Sequence, residues 1–290
     1  MGKFNRAYQL QVDTNIGTTI EIDPPFSCEF EVVRSYGGGG HARFRIYNLG
    51  TTTRNQLRKD ITQSDVFRGI VFRAGYGNTL PDVFIGNLAQ GWSVRQGVDM
   101  ITSLDSMQSA FGIANTESGF TVQSGTTLKS AVAQLLLDLV PNGIKAGKVG
   151  EYRDENGQPI SFQRATTLSG NTVQLINDLT GGGFFVDNGV AHVLADEEVL
   201  QGPLVTLDSS HGLLGTPMLE QNKLNFDILF EPRLQLGQKV TLNSFTAEKF
   251  NGDYKVFGLR HRGMISESVC GEAITSVTLW KPDEVLATVV

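Results

Sequence analysis

ARFRIYNL (residues 42–49), GIVFRAGYG (69–77) and PDVFIGNLAQGW (81–92) follow one another early in the chain. LNFDILFEPRL (224–234), GQKVTLNS (237–244) and YKVFGLRHRG (254–263) follow one another late in it. Both triplets read strand, turn, strand, with a glycine just before the second or third strand. Within them the apolar period is two. Ala42, Phe44 and Ile46 face one side, Arg43 and Arg45 the other. Ile70, Phe72 and Ala74 alternate with Val71 and Arg73. Val83 and Ile85 continue after a turn on Gly77, Asn78 and Pro81, and Val240 and Leu242 alternate with Thr241 and Asn243. Such alternation is the mark of half-buried strands.

The neighbouring segments extend this pattern. Phe26, Cys28, Phe30 and Val32 alternate with Ser27, Glu29 and Glu31, and the glycines 37–40 read as a hairpin loop. Thr51 to Thr53 can cap a short helix that places Leu57 and Ile61 on one face. Gly258, between Val256 and Leu259, suggests a bulge. Asn251-Gly252-Asp253 reads as a turn. Ile274, Val277, Leu279 and Trp280 form a closing strand, and the last residues, DEVLATVV, are a frayed or partner-binding tail.

The middle of the chain changes period. Leu128, Ala131, Val132, Leu135, Leu136 and Leu139 line one helix face, with Thr126 as N-cap and Pro141 and Gly143 as terminators. A second helix is predicted over 172–180, with Val173, Ile176 and Leu179 inward and Gly181 ending it. FFVD and VAHVL flank Asn188-Gly189, a strong hairpin signal. Ser124-Gly125-Thr126-Thr127-Leu128 resembles Ser169-Gly170-Asn171-Thr172-Val173. Either a duplicated strand-helix unit or convergent capping accounts for the match. The fold class is therefore α+β, mainly β, in three parts: residues 1–105 (β), 106–200 (a smaller α/β part) and 201–290 (β).

Composition narrows the function classes. Of 290 residues, 40% are apolar and 19% charged, which suits a folded chain. The net charge of −6 comes without a run of Lys or Arg, which argues against sequence-independent DNA binding. An acidic surface lets a polyanion pass without sticking. No apolar run is long enough to span a membrane, so no stable membrane association is expected. MGKFNRAYQLQVD lacks the apolar core of a signal peptide, and Arg6 stands where a myristoylation signal wants Ser or Thr. Cys28 and Cys270 are expected as free thiols in a reducing compartment.

Catalytic and metal motifs are absent. His41, His192, His211 and His261 show no metal-ligand spacing, and His192 reads as structural. There is no G-x-S-x-G elbow. The segment from Gly143 to Lys148 is one residue short of a phosphate loop and reads as an exposed turn. Asp154-Glu155-Asn156-Gly157 reads as an acidic turn lacking the remaining ligands of a calcium loop. Asp196-Glu197-Glu198 is expected as a solvated loop. Arg43 and Arg45 form either a solvated sheet face or a contact for a partner's carboxylates. Catalytic, cofactor and metal residues are thus none, and the partner interface is not legible. Gly170-Asn171-Thr172 resembles the G-D-T opening of LysM repeats, so the middle part is alternatively a glycan-binding module. A wall-degrading enzyme is the other alternative.

The run from Phe44 to Leu49, the Thr-rich helix, V-F-R-A-G-Y-G and V-F-I-G-N-L together resemble the first domain of phage tail baseplate hub proteins. L-F-E-P-R-L, L-G-Q-K-V-T-L and N-G-D-Y-K-V-F-G-L-R-H-R-G resemble that family's second tube-type domain. The resemblance implies two β-barrel-like tube domains flanking the middle domain. It implies a homotrimer whose six tube domains surround a channel, adapting a sixfold tail tube to a threefold spike. The partners implied are the tail tube protein, a separate spike, other baseplate proteins, and tape-measure protein and DNA in transit. The place implied is the virion baseplate, after assembly in the host cytoplasm. A distal tail protein or a tube terminator is the close competitor.

Overall fold

In the computed structural model the described residues are 5–62, 67–267, 271–280 and 286–289. Met1 and Gly2 at the N-terminus, Cys270, and Asp283 to Val285 of the tail lie outside them. The first part contains β1 (Arg6–Asp13), β2 (Thr19–Ile22), β3 (Cys28–Ser35), β4 (His41–Tyr47), α1 (Thr51–Leu57), β5 (Gly69–Tyr76), β6 (Asp82–Gln96) and β7 (Asp99–Met107). Next come α2 (Ala110–Asn115), β8 (Glu117–Val122), α3 (Leu128–Asp138), β9 (Lys145–Val149), β10 (Thr166–Asn171), α4 (Thr172–Thr180), β11 (Phe184–Asp187) and β12 (Val190–Val193). The last part holds β13 (Glu198–Asp208), β14 (Leu213–Glu220), β15 (Lys223–Leu229), β16 (Gln238–Asn243), β17 (Gly252–Ile265), β18 (Ala273–Trp280) and β19 (Ala287–Val289).

The protein is mainly β, and its two strand-rich parts share one sheet. The sheet's path runs β14-β15-β18-β17-β3-β4-β7-β6-β5-β1-β2, with β16, β13 and β19 branching from β17. The join is β17 against β3, antiparallel from Gly258↔Ser35 to Ile265↔Cys28. The path stays open among the described residues, so no closed barrel forms. Three apolar clusters lie under the sheet and helices. One gathers Tyr8 to Leu104 with Phe230, Ile265 and Ala273. A second gathers Phe185 to Leu279, and a third joins Val122 to Val193. Phe230 crosses into the first cluster, its ring 5.5 Å from that of Phe30.

The strand order repeats. In the first part it is β3-β4-β7-β6-β5, and in the last part β14-β15-β18-β17-β16. The two quoted triplets occupy equivalent places: β4 with β15, β5 with β16, β6 with β17. The bulge repeats too. Ala89 is the extra residue of β6 between Leu88↔Ser106 and Gln90↔Asp105. Phe257 is the extra residue of β17 between Val256↔Leu279 and Gly258↔Thr278. The bulge expected at Gly258 is therefore present, one of a matched pair.

The middle part packs α3 against α4 over a β8–β10 pair. Helix α4 has the expected bounds, with Asn171 as N-cap accepting from the Gln174 amide and Gly181 in the left-handed region. Several expectations need correction. The N-cap of α3 is Thr127 rather than Thr126, its side chain accepting from the Ser130 amide. Helix α1 is capped by Gly50 without a side-chain bond, and it ends before Ile61, which is exposed. The segment read as an exposed turn after Gly143 buries Ile144 and continues as β9, parallel to β12. The tail is not frayed over Ala287–Val289, which pairs with β13. The two strand-helix units differ: β10 runs straight into α4, whereas residues 123–127 separate β8 from α3.

One buried polar network ties the three parts. Arg34 of β3 is almost fully buried; its Nη1 donates to Asp187 Oδ1 of β11 at 2.7 Å and its Nη2 to the Leu234 carbonyl at 2.9 Å. Asp187 Oδ2 accepts the Leu236 amide. Arg34 Nη2 also lies 3.0 Å from His261 Nε2. A guanidinium only donates, so Nε2 accepts and Nδ1 carries the proton, which it donates to Thr275 Oγ1 at 2.8 Å. Burial first, then the Arg34 charge, hold His261 well below its ordinary range, so the ring is neutral. An aromatic ladder runs alongside. Lys223 Nζ lies 3.9 Å above Phe257, which stacks on Tyr36; Tyr36 meets Phe185, which stacks on His192. His192 is structural here, its Nδ1 accepting the Lys148 amide.

Two outcomes follow for stability. Asp187→Ala strands the buried Arg34 charge and is expected to cost about 3–5 kcal/mol in denaturant titration. His261 is neutral when folded, while its unfolded imidazole takes a proton near pH 6.5. Below that pH the unfolded state binds more protons, so stability falls as pH falls. The slope from this residue approaches about 1.4 kcal/mol per pH unit. His261→Gln, which keeps an acceptor toward Arg34, is expected to flatten that slope between pH 6.5 and 5 relative to wild type.

Candidate functional site

The shared sheet has one face on the apolar clusters and the other on solvent. Because β3 and β17 are joined, the solvent face runs unbroken from the last part of the chain to the first. Strand alternation puts Glu29 and Glu31 of β3, Arg43 and Arg45 of β4, Asp105 of β7, Arg260 and Arg262 of β17 and Asp227 of β15 on it. Arg262, Glu31, Arg43 and Asp105 stand side by side across four strands, with charges alternating plus, minus, plus, minus.

These groups pair among themselves. Arg43 grips Asp105 with two bonds, at 2.7 and 3.2 Å. Arg45 reaches Glu29 at 2.8 Å, and Arg260 Nε reaches Glu31 at 2.7 Å. Arg262 lies 3.7 Å from Asp227. The Asp105 bond raises the Arg43 guanidinium further above its ordinary value. Four carboxylates meet four guanidinium groups, so these eight charges cancel. Arg43 and Arg45 thus form a solvated sheet face whose carboxylates come from the same chain.

The path ends in two edges. Among the described residues β2 pairs only with β1, and β14 only with β15. Strand β14 carries Met218, 71% exposed, and Leu219, 57% exposed, beside its edge. Exposed apolar groups on an open edge are a template for another chain.

The remaining candidate residues serve the fold. Glu198, expected in a solvated loop, is buried; its two carboxylate oxygens accept the Glu151 and Ala195 amides. Buried Lys255 donates to the Ala195 carbonyl at 2.7 Å, and burial brings its ammonium down to about 8 against the pull of Asp196, Glu197 and Glu198. Asp154 Oδ1 accepts the Asn156 and Gln158 amides, the expected turn. Cys28 is a buried free thiol. A groove of 920 Å³ lies between the first and last parts, lined by Arg6, Tyr76, Glu231, Arg233 and Glu272 among others. In it the Glu231 carboxylate is held by Arg233 at 2.7 and 2.9 Å. Among the described residues no three His, Cys, Asp or Glu side chains converge on a metal position. None of the described helices is long and apolar enough to cross a membrane.

The ion pairs of the solvent face are exposed, so each contributes little to folding. Arg43→Ala is expected to lower stability by less than about 1 kcal/mol, several-fold less than Asp187→Ala in the same denaturant titration.

The family model for baseplate hub gp41 matches residues 35–262. The fold is also that of solved tail proteins. The 43 kDa tail protein of prophage MuSo2 from Shewanella oneidensis superposes with TM-score 0.58 at 9% identity, covering 95% of this chain and 98% of that one. The tail protein from Neisseria meningitidis MC58 gives 0.54 at 13% identity, covering 97% and 98%. The E. coli c3393 protein, described as a type VI secretion component similar to the T4 tail proteins gp27 and gp5, gives 0.56 at 9% identity, covering 90% and 75%. No curated protein matches the sequence. The match spans most of the chain, and the chain belongs to the baseplate hub gp41 family, whose members are structural components of the phage tail baseplate.

Proposed function

We propose that this chain is the central hub of a phage baseplate. It works as a homotrimer whose two strand-rich parts, residues 1–105 and 201–290, alternate six times around a channel. The observation that carries this reading is the repeated strand order within one continuous sheet. Three copies of a twofold repeat present six similar units upward and three identical chains downward. That matches a sixfold tail tube on one side and a threefold spike on the other. The middle part, 106–200, lies outside the ring and meets other baseplate proteins. Assembly takes place in the host cytoplasm before the hub enters the virion.

The charge-paired face is the wall of the channel. DNA needs a path that neither repels nor holds it. A positively charged wall retains a polyanion by releasing its counterions. A strongly negative wall opposes its entry. Alternating, mutually satisfied charges do neither, because each guanidinium is already engaged by a neighbouring carboxylate. Tape-measure protein and then genome pass such a wall without a fixed contact.

Two measurements test this reading. The mass of the purified assembly in solution is expected to be that of three chains, alone or with tube and spike proteins. A monomer at high concentration in the presence of the spike overturns it. The triple change Glu29→Lys, Glu31→Lys and Asp105→Lys is expected to make the assembly bind DNA in a salt-sensitive manner, while the wild type passes through the same gel-shift assay unbound.

A further inference from the structure

The repeat inside the chain gives the contact between chains. In the first part the outer edge of β3 is covered by the second half of β17. In the last part the equivalent of β3 is β14, and its outer edge is open among the described residues. The equivalent of β17 is β6. Its first half pairs with β5 up to Asn87, and its second half pairs with β7 alone apart from one bridge, Gly91 to Lys59. In that bridge both backbone groups of Gly91 bond Lys59, away from β7. Alternation along a strand then turns the backbone of Ser93 and Arg95 outward on the same side.

The matched bulges set the register. Ser106 and Leu279 each stand opposite the residue before the bulge, so Asp105 corresponds to Thr278. Asp105 pairs with Arg43, and Thr278 with Asn225. Arg43 pairs with Glu31, and Asn225 with Met218. Met218 therefore corresponds to Glu31, whose partner across the internal join is Arg262. Counting from each bulge, Arg262 corresponds to Val94.

We propose that β14 of one copy pairs antiparallel with the second half of β6 in the next copy, with Met218 opposite Val94, Leu219 opposite Ser93 and Glu220 opposite Trp92. This rests on the reading of the chain as a ring of copies and names the surface that closes it. Side chains support the register independently of the count. Met218 is 71% and Val94 49% exposed, and the pairing sets these two apolar side chains against each other. Leu219, 57% exposed, corresponds to Val32, which is fully buried at the internal join. The contact is head to tail, so each copy gives one edge and accepts another. Every such contact continues the sheet from chain to chain.

Met218 and Val94 correspond to Glu31 and Arg262, a pair without mutual backbone bonds and with close Cβ atoms, which suits a disulfide. The test is the Val94→Cys/Met218→Cys variant in a Cys270→Ser background, mildly oxidised at the concentration where wild type assembles. Most chains are expected to migrate as covalent multimers without reductant and as monomers with it. Arg95→Cys/Met218→Cys, whose thiols would face opposite sides of the sheet, is expected to give none. Leu219→Arg is expected to raise the concentration for half-assembly about tenfold or more while leaving the far-ultraviolet spectrum unchanged. Multimers by light scattering without the Val94–Met218 bridge overturn this pairing and leave the ring standing. A wild type that stays monomeric with its tube and spike proteins overturns the ring and the pairing together.

Discussion

The antiparallel join of β3 with β17 is the contact on which the architecture depends. It makes one sheet out of segments more than two hundred residues apart in sequence, and it fixes how the two repeats face each other. Backbone bonds alone would leave it free to slip by two residues. The side chains beneath it remove that freedom. Arg34 of β3 meets Asp187 of the middle part, and His261 of β17 closes the same network onto Thr275 of β18. A shift of register would carry His261 away from Arg34 and leave a buried guanidinium donor without its acceptor, at a cost of about 1–3 kcal/mol. The buried pair adds little net stability by itself. Its effect is to penalise alternative joins, which is how a buried polar group specifies one arrangement over others.

The division of labour between the two sheet faces follows. The buried charge is in one place and makes position specific. Eight exposed charges around the join pair with one another and cancel. Arg43, Arg45, Arg260 and Arg262 each lie beside a carboxylate, so this stretch of the face is hydrated and its charges are locally balanced.

Much of this was legible in sequence, and the physical reason is local periodicity. Alternation found β3 to β6 and β16; capping chemistry found α4 to the residue; Asn188-Gly189 marked its hairpin, both residues having positive φ. Ile61 and the segment after Gly143 were misread because helix length and strand pairing there are decided by tertiary contacts. The join itself was not legible, since nothing in β3 names β17 as its partner. One signal did stand in the open. Arg34 falls in phase with Cys28, Phe30 and Val32, so a charged residue lay on the buried face of a strand. A buried arginine needs a carboxylate, and Asp187, at the end of the apolar run FFVD, was the matching anomaly.

The repeated bulge gives the two halves their common geometry. An extra residue in an antiparallel strand bends it and increases its twist. In β6 and β17 the bend separates a half that pairs inward, to β5 or β16, from a half that reaches sideways. In β17 the sideways half is occupied by β3 of the same chain. A fold that meets this need once internally already holds the shape for meeting it again externally, and Met218, Leu219 and Val94 at the second instance are apolar where solvent would favour polar residues. Head-to-tail contacts close into a ring only when the rotation per contact divides a full turn. Within one chain the β3–β17 join imposes one such rotation between repeats. If the contact between chains imposes nearly the same, six repeats share a full turn at about sixty degrees each, and the number of chains in the ring is set by the geometry of one bulged strand pair.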